Sequence, residues 1–232
     1  MSVIIALKQV TRIYQQGQVE VVAVDKLDLQ IEQGDFAVLS GPSGSGKTTV
    51  LNTIGLLDQP SSGRVIFEGQ EVSSLTRTQM AALRRDRIGF IFQAYNLIPV
   101  LTAYENAEMV MSLQGTPPEE RRARVLKLLA DVGLKGLEHR RPDELSGGQQ
   151  QRVAIARAIA PQPALVLADE PTANVDSETA VAILDLMEHL NQAHGVTFLF
   201  STHDPLVMER AKRIIRLRDG RLESDQRIGG QP

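Results

Sequence analysis

The sequence predicts an α/β fold: a parallel-sheet core, an antiparallel β-region beside it and an inserted set of helices. Three observations lead there. Short apolar runs alternate with helical patterns over most of the chain, roughly the first sixty residues are instead rich in β-type runs, and the stretch from Thr102 to about Ala160 is helical in character. The 232 residues are 42% hydrophobic and 23% charged, enough to bury one large core, and no linker marks a second independent domain.

In the β-rich opening, Gln16-Gly17 precedes VEVVAVDKLDLQI, and Gln33-Gly34 separates that run from DFAVLS; SSGRVIFEG reads as a further strand bounded by turns. The run Ile88 to Phe92 ends in Gln93. Within the helical stretch, EERRARVLKLLADVGL places Val125, Leu128, Leu129 and Val132 on one face. Its opposite, arginine-rich face is a solvated surface or a partner surface, and Glu120 with Arg124 forms a favourable i,i+4 pair there. Ala164 to Ala168 reads as a fully buried parallel strand. After Asp176, the positions Ala180, Ile183, Leu184, Met187 and Leu190 keep helical spacing up to Gly195, which makes this stripe core. Thr197 to Phe200 is a further strand, followed by a helix capped by Asp204 with Pro205 in its first position. Asp219-Gly220 between two strand-like runs predicts a tight hairpin.

The strongest local motif is Gly41-Pro42-Ser43-Gly44-Ser45-Gly46-Lys47-Thr48, followed by Thr49. It matches G-x-x-x-x-G-K-[ST] and stands between the strand FAVLS and the helical run TVLNTIGLL. Its glycines let backbone N–H groups approach phosphate oxygens, and the helix that follows presents its positive end to the anion. Lys47 is expected to reach the β- and γ-phosphates, and Thr48 to offer its hydroxyl to Mg2+. The motif identifies a nucleoside triphosphate and leaves the reaction open.

Polar residues at strand ends narrow the reaction. The buried run up to Ala168 ends in Asp169-Glu170, and adjacent acids there suit a division of labour: Asp169 holds the metal, and Glu170 orients or deprotonates the attacking water. Gln93 and Ser201-Thr202-His203 end the other two apolar runs. Ligands of open α/β sheets bind at the carboxyl ends of strands, so Lys47, Gln93, Asp169, Glu170 and His203 can converge on one crevice. Of the four histidines, His189 and His194 fall on or near the end of the amphipathic helix and His139 in a polar connector, which leaves His203 for the γ-phosphate.

The segment Leu145-Ser146-Gly147-Gly148-Gln149-Gln150-Gln151-Arg152 precedes a second helical run, VAIARAIA. Ser146 and Gln149 form a capping box, which explains those two residues but not Gly147 and Gly148, poor helix formers in a first turn. They make sense where a phosphate approaches closely, and a second such site suggests another copy's nucleotide.

Other classes are set aside on composition. A net charge of -3 gives no overall basic field for nucleic acid. Absence of cysteine excludes disulfides, thiol catalysis and thiolate metal sites. No apolar stretch reaches the roughly 18 to 20 residues of a bilayer span, and the start of the chain lacks a signal-peptide pattern, so a soluble cytoplasmic chain is expected.

LSGGQ, in order with the phosphate loop, Gln93, Asp169-Glu170 and His203, resembles the ABC ATPases over essentially the whole chain. The resemblance implies a RecA-like P-loop NTPase core. It places the catalytic core and β subdomain at about 1–93 and 161–232 and the helical subdomain at about 94–160, all within a single ATP-binding domain spanning 1–232. It also implies two subunits paired head to tail as a homodimer, with two ATP molecules buried between them. Ser146 and Gly148, with Gly147 and Gln149 beside them, would face the opposite γ-phosphate. Asn174-Val175-Asp176 would cross the interface, with Val175 where leucine is more usual. Gln93 would join Thr48 and Asp169 at Mg2+. Tyr14 matches the aromatic residue that stacks on adenine, the alternative being a core tyrosine. The chain lacks an Asn-Lys-x-Asp guanine motif, so by the family pattern ATP is expected over GTP.

IGFIFQAYNLIPVLTAYENAEM further resembles a subgroup that includes lipoprotein-releasing, macrolide-exporting and cyanobacterial glycolipid-exporting systems. There, the counterpart of Ala94 to Ala107 receives a separate membrane permease; Tyr95, Leu97, Ile98 and Leu101 are contacts or core. The resemblance thus implies an ATPase attached to the inner face of the plasma membrane through its permease, with a periplasmic adaptor as a further partner. The competing expectation is a soluble ABC ATPase acting on ribosomes or DNA.

Overall fold

The structure, a computed structural model, describes residues 2–17 and 19–228. Two sheets organise it. The first is antiparallel, in the order β2-β1-β4-β5, from β1 (Val3–Gln16), β2 (Val19–Glu32), β4 (Ser62–Phe67) and β5 (Gln70–Glu71). The second contains β3 (Phe36–Ser40), β6 (Ile88–Ile91), β7 (Leu165–Asp169), β8 (Thr197–Ser201), β9 (Arg213–Arg218) and β10 (Arg221–Arg227), in the order β10-β9-β3-β8-β7-β6. All neighbours in it are parallel except β9 and β10. That hairpin turns at Asp219 and Gly220, both at positive φ (49° and 74°), as a two-residue turn between right-twisted strands requires.

Strands β3 and β8 are buried along their whole length, which is why their sequences run apolar without alternation. One face of the parallel sheet packs through Leu39, Leu167 and Leu199 against α1 (Lys47–Ile54) and the antiparallel sheet. The other face, with Phe36, Val166, Phe198 and Phe200, packs against α6 (Ser177–His194) and α7 (Pro205–Arg210). Each such side chain removed from water contributes about 1.5–3 kcal/mol before chain entropy is set against it.

Helices α3 (Ala103–Leu113), α4 (Pro118–Asp131) and α5 (Gly147–Ile159) enclose a third core around Ala107, Met111, Val125, Leu129, Val132 and Val153. Leu128 of the predicted stripe is only partly buried and packs where the second and third cores meet. The same is true of α5 itself: Val153 and Ala156 face the helices, while Ile155 and Ile159 face the parallel sheet. One helix, α2 (Arg77–Arg87), has no counterpart among the sequence expectations. It buries only Met80, so its sequence shows no apolar stripe, and its formation rests on a capping box between Thr76 and Gln79.

Candidate functional site

Register brings the predicted strand-end residues together. Leu39 of β3 and Asp169 of β7 both pair with Ser201 of β8, and Ile91 of β6 pairs with Ala168. The segments that follow these strands, beginning at Gly41, Glu170, Thr202 and Phe92, therefore leave the sheet side by side at its carboxyl edge. The site is an open edge. A cavity of about 720 Å³ between α4, the ends of α5 and α6 and the start of β1 lies at the opposite edge and contains none of the predicted site residues.

At this edge the loop Gly41–Gly46 turns into α1. Gly41 stands at φ 148°, and a Cβ there would lie 2.2 Å from the Leu217 carbonyl; a Cβ on Gly46, at φ 95°, would lie 2.4 Å from the Ala23 carbonyl. Only glycine fits either position. Helix α1 starts with no side-chain cap and no acid in its first turn, unlike α2, α3 and α5, which each carry a complete capping box. Its leading N–H groups are thus left for an external acceptor, as anion binding requires. Lys47 lies across the loop, its Nζ donating to the Gly41 and Pro42 carbonyls at 2.7 and 2.9 Å. Pro42, Ser43, Gly44 and Thr48 are exposed, and Thr49 is half-buried. Ser45 is buried with its hydroxyl unpartnered among the described residues.

Asp169 is half-buried at the end of β7. Burial pushes its carboxyl above the usual carboxylate range, and neighbouring Glu170 adds to this, while hydrogen bonding with Ser201 and the charge of Lys47 oppose it. An approaching cation would favour the ionised form. Among the described residues no group of three His, Cys, Asp or Glu side chains is arranged to hold a metal ion by itself. The hydroxyl of Thr48 and the carboxylate of Asp169 are hard oxygen donors that fit Mg2+, a cation that keeps water and phosphate oxygens as its remaining ligands.

Glu170 has φ 45°, an uncommon conformation for a non-glycine residue, and three contacts hold it there. Its N–H donates to the Ser201 carbonyl (2.9 Å), its Oε2 accepts from the Thr202 hydroxyl (2.7 Å), and its Oε1 lies 2.6 Å from His203 Nδ1. An ionised carboxylate only accepts, so in this pair Nδ1 carries the proton and Nε2 is left facing outward. The His203 side chain is 82% exposed and that of Glu170 19%.

Gln93 is exposed two residues beyond β6, and its carbonyl accepts a 2.8 Å hydrogen bond from the Asn174 side chain. Ser146 caps α5 as expected, accepting from Gln149 N–H at 3.3 Å while Gln149 Oε1 accepts from Ser146 N–H at 2.9 Å. The two glycines between them also have a packing reason inside the chain, beside the close phosphate expected from the sequence. A Cβ on Gly147 would lie 2.8 Å from the Tyr95 hydroxyl, and one on Gly148 would lie 2.4 Å from Thr179 Cγ2. The carboxylate of Asp176 is engaged as the cap of α6, accepting from Thr179 N–H and Oγ1 at 2.9 and 2.7 Å. Tyr14 is half-buried, its hydroxyl donating to Asp58 at 2.6 Å and its ring carrying the Arg12 guanidinium 4.5 Å from the centroid.

Sequence reasoning missed Arg157, a buried guanidinium on α5 that donates to the carbonyls of Asn96 and Tyr95. The signal was available: a single arginine inside the apolar run VAIARAIA needs buried acceptors. It also passed over Thr202 as a partner of Glu170, because a threonine at a strand end carries no distinctive pattern.

The sequence profile of the ABC transporter family matches residues 24–173. An ABC transporter ATP-binding protein of Thermotoga maritima is 45% identical over 99% of this chain and 97% of its own length. The macrolide export ATP-binding/permease protein MacB of Hyphomonas neptunium is 48% identical over 96% of this chain, which spans 34% of that longer protein. Among solved structures, the ATP-binding cassette MJ0796, in a dimeric post-hydrolysis state bound to ADP and Pi, superposes with a TM-score of 0.89 at 42% identity, covering 98% of this chain and 100% of that one. The sequence of MJ0796 is that of a Methanocaldococcus jannaschii protein.

Proposed function

Since the chain belongs to the ABC transporter family, we propose that it is the ATP-hydrolysing subunit beneath a separate membrane permease and that it works as a head-to-tail dimer. The observation that carries this reading is the convergence, at one sheet edge, of an uncapped phosphate loop with Lys47, Asp169 and a Glu170 held by Thr202 and His203. The dimeric state of MJ0796 and the joined permease of MacB support the two partners. Among the described residues no helix is long and apolar enough to cross a membrane, so attachment to the inner face of the plasma membrane would come through that permease. A periplasmic adaptor belongs to the same reading. The relatives reported above are transporter proteins, and none favours the ribosome or DNA alternative.

The chemistry follows from the residues. The loop amides and Lys47 bind the β- and γ-phosphates, with Tyr14 beside the adenine. Thr48 and Asp169, with Gln93 nearby, would hold Mg2+, which supplies charge neutralisation when bound. Glu170 accepts a hydrogen bond from the attacking water and takes its proton as the water oxygen bonds to the γ-phosphorus. The bond to the bridging oxygen breaks, giving ADP and inorganic phosphate. His203 holds Glu170 through Nδ1 and presents Nε2 outward. Ser146, Gly147, Gly148 and Gln149 of the second copy close over the γ-phosphate, with Asp176 nearby, so ATP favours the closed pair and hydrolysis releases it.

Glu170→Gln tests the reading. It keeps size and hydrogen bonding but not basicity, so ATP binding is expected within about threefold of the parent, turnover is expected to fall by about 10²-fold or more, and an ATP-bound dimer is expected to accumulate on size exclusion. Near-normal steady-state ATPase would refute the role of Glu170.

A further inference from the structure

A set of contacts behind the site is unused by this chemistry. Tyr95 and Asn96, just past Gln93, both stand in the left-handed region, at φ 58° and 49°. Two consecutive non-glycine residues adopt that conformation only where their surroundings hold them. Arg157 supplies the hold from α5: its two terminal nitrogens donate to the Asn96 and Tyr95 carbonyls at 2.5 and 2.8 Å. Arg157 is 8% exposed, and burial disfavours its charge. Among the described residues it has no carboxylate partner within ion-pair distance, so these carbonyls are what its fork addresses.

Tyr95 then reaches outward from this anchor. Its hydroxyl donates to the Asn174 carbonyl at 2.8 Å, and the Asn174 side chain returns a hydrogen bond to the Gln93 carbonyl at 2.8 Å. These reciprocal bonds join the loop after β6 to the segment after β7. The same phenol oxygen occupies the space a Cβ on Gly147 would need, so the first turn of α5 rests on it. One side chain therefore touches three segments far apart in sequence: that of Gln93, that of Asn174 and that of Ser146.

We propose that Tyr95 is a positioning residue, anchored by Arg157, that latches these three segments into one moving body. It deepens the dimer reading above and rests on it for its consequence. The group facing this chain's own nucleotide (Gln93), the one facing the partner's nucleotide (Ser146) and the one at the subunit interface (Asn174) shift together when the Tyr95 loop is pushed.

Tyr95→Phe removes only the donor and keeps the ring. Hydrogen exchange on the isolated chain is expected to speed up about fivefold in 93–97 and together with it in 172–176 and 147–150, the loss of one net hydrogen bond of about 1 kcal/mol. Acceleration confined to 93–97, or none, overturns the latch. Arg157→Lys keeps the charge but cannot bridge both carbonyls, and is expected to loosen the same three segments. In a Glu170→Gln background, Tyr95→Phe is expected to weaken ATP-driven dimerisation about fivefold while ATP affinity of the single chain stays unchanged. Equal dimerisation constants overturn the coupling. A Glu170→Gln parent that fails to dimerise with ATP sinks the functional reading instead, and the exchange measurement still decides the latch.

Discussion

Glu170 follows a buried strand in a left-handed conformation, with one carboxylate oxygen on Thr202 and the other on His203. A base that must meet water at one angle gains from having both oxygens oriented beforehand. Thr202 is fully buried, so Thr202→Val keeps its shape and removes only the donor. We expect ATP binding to stay within about twofold and kcat to fall about tenfold, the effect of losing one hydrogen bond to a charged group. A loss confined to KM would show that Thr202 serves binding instead. At this scale the sequence was informative about acids and silent about their supports. Asp169 and Glu170 stand out because carboxylates end an apolar run, whereas Thr202 and Arg157 act through strands and helices remote in sequence. Gly147 and Gly148 were visible as anomalies, yet their packing reasons, Tyr95 and Thr179, appear only once the chain is folded.

The helix starts differ in how their first backbone N–H groups are met. Helices α2, α3 and α5 close their own N-termini with capping boxes, and α6 uses Asp176, while α1 leaves its first turn open where the phosphate loop enters it. The cap at α6 gives a pH test. Hydrogen bonds from Thr179 N–H and Oγ1 hold the Asp176 carboxyl below its ordinary value of 3.8. A folded value below the unfolded one means stability that is fully present above the unfolded value and is lost as pH falls through the folded one. Asparagine also caps helices, so Asp176→Asn removes the charge and keeps the geometry. The difference in urea midpoint between parent and variant is expected to be constant above about pH 5 and to shrink toward about pH 3; a difference independent of pH would mean that the charge contributes nothing. Another element-level support is the fully buried Asn106 of α3. It accepts from Ile98 N–H and donates to the carbonyls of Ile98, Leu101 and Thr102, fixing the segment that precedes the helix. Asn106→Ala should cost about 2–3 kcal/mol in denaturant unfolding, with no change in the m-value. Neither Asn106 nor α2 was legible beforehand: one is an ordinary polar residue in a helical pattern, and the other lacks the apolar face by which a helix is recognised.

At the scale of the molecule, the fold places the two helix starts proposed to face phosphate on different elements: α1 directly after a central strand, and α5 at the boundary of the helical core and the sheet. The alternation of apolar runs and helical patterns made this architecture readable, since buried parallel strands and amphipathic helices each leave a period in the sequence. Which copy's nucleotide meets α5 is not a local property and leaves no period. A mixing experiment decides it. Lys47→Ala disables the phosphate loop. Ser146→Asp keeps the cap of α5, since aspartate caps as well as serine, but presents a carboxylate toward the facing phosphate. Each variant alone is expected to be nearly inactive. Mixed in equal amounts, half the dimers are mixed pairs, and head-to-tail pairing gives each mixed pair one site with both lesions and one with none. With independent sites the mixture should regain about a quarter of parental ATPase. If Ser146 instead served the nucleotide of its own chain, every site would carry one lesion, and mixing would restore nothing.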